Sequence, residues 1–251
     1  MRDLIRAEML KLRTTRSFWG YVASSLAFVP VSIWLAIVTA GQEGSPVPVL
    51  DSSEGLRNVM SAASSGALLL LLIGILVMAG EFRHNTVTST FLISPDRKRV
   101  VGAKLAAAGL VGVGVAIAAS LLTLAIALPL LGAMHVDVSL LSSDVVLPLL
   151  GAITVTALFP MVGIGIGALL RNQTVAVTIT LVWILLVETI LVGFAPEVGR
   201  WLPGGAASAL SGVATAEGGL LPLWGAALLF AGYGLAFAAA GTRFVIRRDI
   251  S

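Results

Sequence analysis

Residues 62–104 read AASSGALLLLLIGILVMAGEFRHNTVTSTFLISPDRKRVVGAK. The run from Ala62 to Ala79 carries no charge. A bilayer core is crossed by about 20 helical residues, so a run of this length predicts a transmembrane helix. Its apolar residues are continuous and do not alternate with period two, which favours a helix over a barrel strand. Glu81 then opens a long polar connection that closes on the basic run Arg97-Lys98-Arg99. A connection of this length between two spans is rarely idle.

Outward from this stretch the same pattern repeats. Further apolar segments run from Phe18 to Ala40, Val100 to Leu131, Val145 to Leu170, Thr174 to Phe194 and Leu221 to Phe244. With Ala62–Ala79 they predict an all-α membrane protein of six transmembrane helices. The composition agrees: 57% of the 251 residues are hydrophobic and 12% are charged, against about 25% charged in a soluble domain. The chain is long enough for one membrane domain and leaves little room for a second globular one. It contains no cysteine, which excludes a disulfide framework, a thiolate metal site and a cysteine nucleophile. The first 17 residues are too charged for a signal peptide, so the N-terminus is expected to be retained.

Charge gives the direction. Fourteen of the 16 Lys and Arg residues fall on one side of the predicted spans: Arg2, Arg6, Lys11, Arg13 and Arg16 before the first, Arg83, Arg97, Lys98, Arg99 and Lys104 after the second, Arg171 after the fourth, and Arg243, Arg247 and Arg248 after the sixth. The opposite loops hold Arg57 and Arg200 among seven acids. The basic side is cytoplasmic by the positive-inside rule, so both termini are expected in the cytoplasm of a multi-pass plasma-membrane protein. The pI near 9.8 reflects this asymmetry. Basic residues scattered over four loops without interleaved aromatics argue against nucleic-acid binding.

Residues 2–17, RDLIRAEMLKLRTTRS, predict a cytoplasmic interfacial helix. Leu4, Ile5, Met9 and Leu12 share about half of a helical wheel, while Arg6 and Arg13 lie away from them and Leu10 breaks the pattern. With Lys11 and Arg16, this basic flank suits anionic membrane lipids. The other reading is an orientation signal alone. In the 80–104 loop, a short helix carrying Phe82 and Phe91 suits docking into another protein's cleft. Attachment to lipid headgroups is equally open there.

The pattern Glu8-x-x-Lys11-Leu-Arg-Thr-Thr-Arg-Ser17, the run Gly80-Glu-Phe-Arg-His-Asn-Thr-Val-Thr-Ser-Thr-Phe-Leu92, the Pro95-to-Val100 turn leading to Lys104-Leu105, Glu188 in the fifth span and Leu202-Pro203-Gly204-Gly205-Ala206 resemble ABC-2 type permeases, especially actinobacterial ones. The resemblance covers the layout of essentially the whole chain. It implies that two six-span subunits pair, identical or related, and that each docks on an ABC ATPase supplied by another chain. It also implies that residues 1–17 form a connecting helix and residues 18–251 the transmembrane domain. The coupling helix would lie in the loop 80–104, with ATPase-docking residues Glu81, Phe82, Arg83, His84, Asn85 and Thr86, and a re-entrant element in 195–220. From the residues alone, an ordinary loop helix in 195–220 is equally open.

A separate ATPase fits the sequence. The chain has no G-x-x-x-x-G-K-[ST] phosphate loop, so it is expected to carry no catalytic site, cofactor or metal, and ATP and Mg would be bound by the partner. His84 and His135, the two histidines, fall on opposite sides of the predicted membrane, which argues against a shared metal site.

Glu188 is the one acid inside a predicted span, toward its outer end. A carboxylate in hydrocarbon costs several kcal/mol, so it should face protein or water. It binds a coupling ion, contacts substrate, or pairs structurally with Arg200 or a backbone N–H; all three remain open. Gly163 and Gly167 form a GxxxG in span four, suited to close helix packing or dimerisation. Pro160 removes a backbone bond to Thr156 and predicts a bend.

The expected function is therefore the membrane subunit of an ATP-driven exporter for an amphipathic substrate, such as a drug, antimicrobial peptide, lipid or natural product. An ion-coupled secondary transporter using Glu188, and a non-transporting immunity or scaffold protein, are the alternatives.

Overall fold

The computed structural model describes residues 1–42, 47–83, 97–212 and 221–247. Every regular element among them is helical. Helix α1 spans Arg2–Thr14 and α2 spans Arg16–Thr39. Between them Thr15 is extended, and the hydroxyls of Thr14 and Thr15 bond back to the carbonyls of Leu10 and Lys11 at 2.9 and 2.8 Å. Such side-chain bonds offer the backbone an alternative to the helix ladder. The Trp19 indole N–H donates to the Arg13 carbonyl at 2.9 Å and fixes the turn.

The second apolar segment begins earlier than its hydropathy suggests. Helix α3, Ser53–Met60, a 3-10 turn at Ser61–Ser64 and α4, Ala67–Arg83, run on as one 31-residue path. Ser52 starts it by accepting the Gly55 N–H at 3.0 Å, an N-cap that polar sequence before Ala62 conceals. The helix also ends later than expected, so Glu81, Phe82 and Arg83 lie in its last turn.

Helix α5 spans Arg97–Ala133 and α6 spans Ser143–Leu170, continuous through Pro148 and Pro160. Span five is composite: α7, Gln173–Val182, a π-helical turn at Trp183–Glu188, and α8, Thr189–Phe194. Two short helices follow, α9 at Pro196–Gly199 and α10 at Pro203–Ser211, and then α11 at Leu223–Arg247. Among the described residues, five helical segments are long and apolar enough to cross a membrane, and Leu223–Phe237 of α11 is a shorter apolar helix. The chain is thus an all-helical, membrane-embedded protein. The sixth crossing expected from Leu221 to Phe244 does not reach that length within the part of α11 whose side chains are described.

Helix α6 is the hub, packed against α4, α5, α11, α10 and α3. Its glycines explain why. A Cβ at Gly163 would run into the Leu71 carbonyl, and one at Gly167 would stand 2.9 Å from the Ile75 carbonyl. From the other side, a Cβ at Gly74 would strike the Pro160 carbonyl. Lipid supplies no hydrophobic drive between helices, so close backbone approach and dispersion hold them together. The GxxxG of span four is therefore consumed within the chain. Around this crossing pack Leu71, Ile75, Val155, Val162 and an edge-to-face pair, Phe159 and Phe230, with ring centroids 5.1 Å apart. At the end of the bundle away from α1, a second core gathers Val29, Ile33, Val59, Met60, Leu131 and Val145. There Arg57 Nε donates to Asp144 Oδ1 at 2.8 Å and ties α3 to the start of α6.

Replacing Gly74 or Gly163 by Val should destabilise the fold by about 1–3 kcal/mol or more through overpacking. Gly114→Ala, where a Cβ meets nothing within 4 Å, should be neutral or mildly stabilising. Thermal melting followed by fluorescence-detected gel filtration of the detergent-purified chain measures the contrast.

Candidate functional site

The site lies where α1, the end of α4 and the start of α5 meet. On α1, Glu8 and Leu12 are the buried residues, one turn apart and so on one face. Leu12 packs with Phe18, Leu70, Ile73 and Val115. Leu12 is the member of the expected apolar face that packs into the bundle; Leu4, Ile5 and Met9 are half-buried, and the residue one turn before Leu12 on the bundle side is a carboxylate. Lys104, two turns into α5, is 2% exposed.

These elements converge on four charges. Lys104 Nζ stands 2.7 Å from Glu8 Oε2 and 2.5 Å from Glu81 Oε1. Lys11 Nζ stands 2.8 Å from Glu8 Oε1 and 3.3 Å from the same Glu81 oxygen. Two ammonium groups and two carboxylates alternate, so the cluster is neutral as a unit. Each member makes its neighbours tolerable, because an unpaired ion taken from water costs several kcal/mol. Burial alone would raise the carboxyl of Glu8, but the charge and hydrogen bond of Lys104, then those of Lys11, hold it below the ordinary value of 4.5. Burial would lower Lys11, yet its bond to Glu8 and the charge of Glu81 keep it above 10.5.

Beside the cluster, Phe82 packs against Met78, Ala108, Ile164 and Ala168, together with Leu105. The Arg171 guanidinium covers its ring at 5.1 Å from the centroid. Arg171 is set there by its own backbone: as the left-handed residue closing α6, φ +53°, it donates its N–H to the Gly167 carbonyl. Phe82 is therefore seated in the bundle and not presented outward. Arg83 is exposed, and His84, Asn85 and Thr86 lie outside the described residues. Of the basic residues expected on the interfacial helix, Arg6, Arg13 and Arg16 are exposed, whereas Lys11 belongs to the cluster.

Glu8 and Lys104 are the members that sequence reasoning missed. Each carried a signal. Glu8 interrupts the apolar face of α1, and Lys104 stands inside an otherwise apolar stretch, where a long cation without a partner is costly.

Glu188 forms a separate site at the opposite end. It is 3% exposed. Its Oε1 accepts the backbone N–H of Gly204, while Oε2 is buried and accepts no hydrogen bond among the described residues. Arg200 is not its partner; it pairs with Glu197 at 2.5 Å.

Lys104→Met leaves Glu8 buried without its principal partner and should cost about 3–5 kcal/mol, whereas the paired change Glu8→Gln with Lys104→Met should recover most of that loss. A double-mutant cycle of melting temperatures measures it. The folded carboxyl of Glu8 is lower than the unfolded one, so its contribution is full above about pH 4.5 and is lost as pH falls through the folded value. Lys11 has the opposite sign: its contribution holds below about pH 10.5 and fades above the raised folded value. Glu8→Gln should therefore flatten the acid limb of the stability profile and leave the neutral plateau lower.

With this geometry in view, the comparison with known proteins is specific. No curated protein matches the chain. Residues 4–187, which span α1, the ion cluster, the head of the 84–96 segment and the hub helix α6, match the family described as ABC-2 family transporter protein. The match includes all four charges of the cluster and stops one residue short of Glu188. The chain belongs to the ABC-2 family of membrane transporter proteins.

Proposed function

We propose that this chain is the permease subunit of an ATP-driven exporter, with ATP hydrolysed by a separate ABC ATPase. The observation that carries the reading is the ion cluster. Glu81 stands just before residues 84–96 and Lys104 just after them, and both are bound to Glu8 of α1 or to each other. A force applied to that segment is thereby delivered to α1, α4 and α5 as one unit. Phe82, lodged under Arg171, adds the end of α6 to the same unit. This is what a loop that receives motion from an ATPase requires. In this reading Glu81, Phe82, Arg83, His84, Asn85 and Thr86 form the docking and coupling region, with the buried members transmitting and the rest making contact.

The remaining assignments follow from the charge asymmetry and from membership of the family. Helix α11 completes six crossings, both termini face the cytoplasm, and α1 lies along the inner leaflet with Arg6, Arg13 and Arg16 toward anionic headgroups. A second permease subunit, identical or related, completes the pathway. The exposed apolar residues of α2 and span five, among them Phe28, Trp34, Leu185 and Leu186, face lipid or that subunit. Spans with so few charges suit an amphipathic substrate. The ion-coupled carrier is the weaker reading, because the carboxylate it needs, Glu188, already accepts the Gly204 N–H through Oε1.

Affinity purification of the tagged chain from its native membrane should yield a stoichiometric P-loop ATPase with vanadate-sensitive hydrolysis. Glu81→Gln and Phe82→Ala should lower substrate-stimulated hydrolysis about tenfold or more, as loss of 1.4 kcal/mol or more of coupling demands, with the complex still assembled. Recovery of the chain without an ATPase, in a state competent for gradient-driven flux, would overturn the assignment.

A further inference from the structure

Helix α10 cannot cap itself. Its N-cap residue is Leu202, which has no side-chain acceptor, and Pro203 follows. The first N–H groups of a helix have no intrahelical partner and need one from elsewhere. Here the partner is Glu188, sixteen residues earlier in the chain, whose Oε1 takes the Gly204 N–H. A carboxylate is also the group that the positive end of a helix dipole favours. Gly204 is required for the approach, since a Cβ there would stand 2.8 Å from Glu188 Oε1.

The two ends of α10 are held unequally. At its C-terminal end the Leu210 carbonyl lies against Gly151, about two turns inside α6, where a Cβ would not fit. Ser211 and Ser64 hydroxyls are 3.0 Å apart, and Gly212 closes the helix in the left-handed conformation at φ +73°. That end is packed into the bundle. The N-terminal end is held by Glu188, by the close approach of Gly205 to the Gly199 carbonyl and, at the preceding turn, by the Tyr233 hydroxyl, which donates to the Trp201 carbonyl at 2.8 Å.

Span five depends on the same contact. Residues 183–194 bury a single side chain, Glu188, while Leu185, Leu186 and Ile190 are more than half exposed. The near half, α7, packs on α4 and α6, but the π turn and α8 pack mainly along their own chain. π-helical turns are rare and recur at functional sites; this one ends on Glu188.

We propose that Glu188 is a latch that fastens the far half of span five to α10, and that release of Glu188 from Gly204 frees that half of the span together with the N-terminal end of α10. α10 then pivots on its anchored C-terminal end. In the exporter reading, on which only this consequence rests, release opens the exit side of the pathway. Glu188 is a positioning residue in this account and takes up no ion.

The chain has no cysteine, so one introduced thiol reports on one place. Ala206→Cys in α10 and Ala152→Cys in α6 replace fully buried residues. The purified full-length chain in nanodiscs is treated with a water-soluble maleimide, and the labelling rate is read by mass spectrometry. Glu188→Ala should accelerate labelling at residue 206 about tenfold or more, the scale of a lost hydrogen bond to a charged group. Labelling at residue 152 should stay unchanged. Glu188→Gln, which keeps an acceptor oxygen, should label more slowly than Glu188→Ala. Equal rates at residue 206 with and without Glu188 would overturn the latch. Equal acceleration at both positions would also overturn it, by showing general loosening. The readout needs neither ATPase nor substrate, so its failure is distinct from failure of the exporter reading.

Discussion

A lysine ammonium buried beside hydrocarbon has to be met by carboxylates, and that requirement organises the α1 end of this protein. Lys104 is 2% exposed and sits two turns into a long apolar helix. The two carboxylates that meet it come from elements far apart in sequence, Glu8 on α1 and Glu81 at the end of α4. Leaving a buried member unpaired costs about 3–5 kcal/mol, a large share of the total stability of a folded protein. α1 is therefore bound to the bundle by ionic pairing together with Leu12. It is not simply floated on a membrane surface by an apolar face.

The rest of the bundle is built so that this pairing has a firm base. Helix α6 runs through the middle, and α4 lies against it closely enough that Gly74, Gly163 and Gly167 must lack side chains. This contact fixes the direction of α4 and so the position of Glu81 and Phe82 at its end. Arg171, turned by the left-handed closure of α6, then covers Phe82. Glu81 and Phe82 are thereby held in one packed unit with α6, and packed interiors transmit displacement. At the opposite end the arrangement is looser: in residues 183–194 Glu188 is the one fully buried side chain, with Ile184 packed partly against the core.

Five of the spans were legible because hydrocarbon imposes one simple rule on composition, and the family was legible in ordered motifs, of which those from Glu8 to Leu105 lie within the matched residues 4–187. Span two was misjudged at both ends because caps and turns, Ser52 at one end and the last turn through Arg83 at the other, are polar and resemble loops. Lys104 was read with the loop cations because a positive charge near a span end usually snorkels to water. Its partners lie 96 and 23 residues away, and no local period reports such a pairing. Glu188 was legible as an anomaly, a carboxylate inside a span. That its partner is a backbone N–H of a helix with an apolar N-cap follows only from the three-dimensional path.

The central claim is that α1, the end of α4 and the start of α5 move as one body. The absence of cysteine allows two spin labels, at Arg6→Cys and Lys98→Cys, both exposed positions. Their distance distribution is measured by pulsed electron paramagnetic resonance in the ATPase-bound complex, nucleotide-free and vanadate-trapped. The account predicts one narrow distribution, the same in both states, which broadens when Lys104 is replaced by Ala. A distribution that shifts or splits on trapping while the four charges are intact would contradict it.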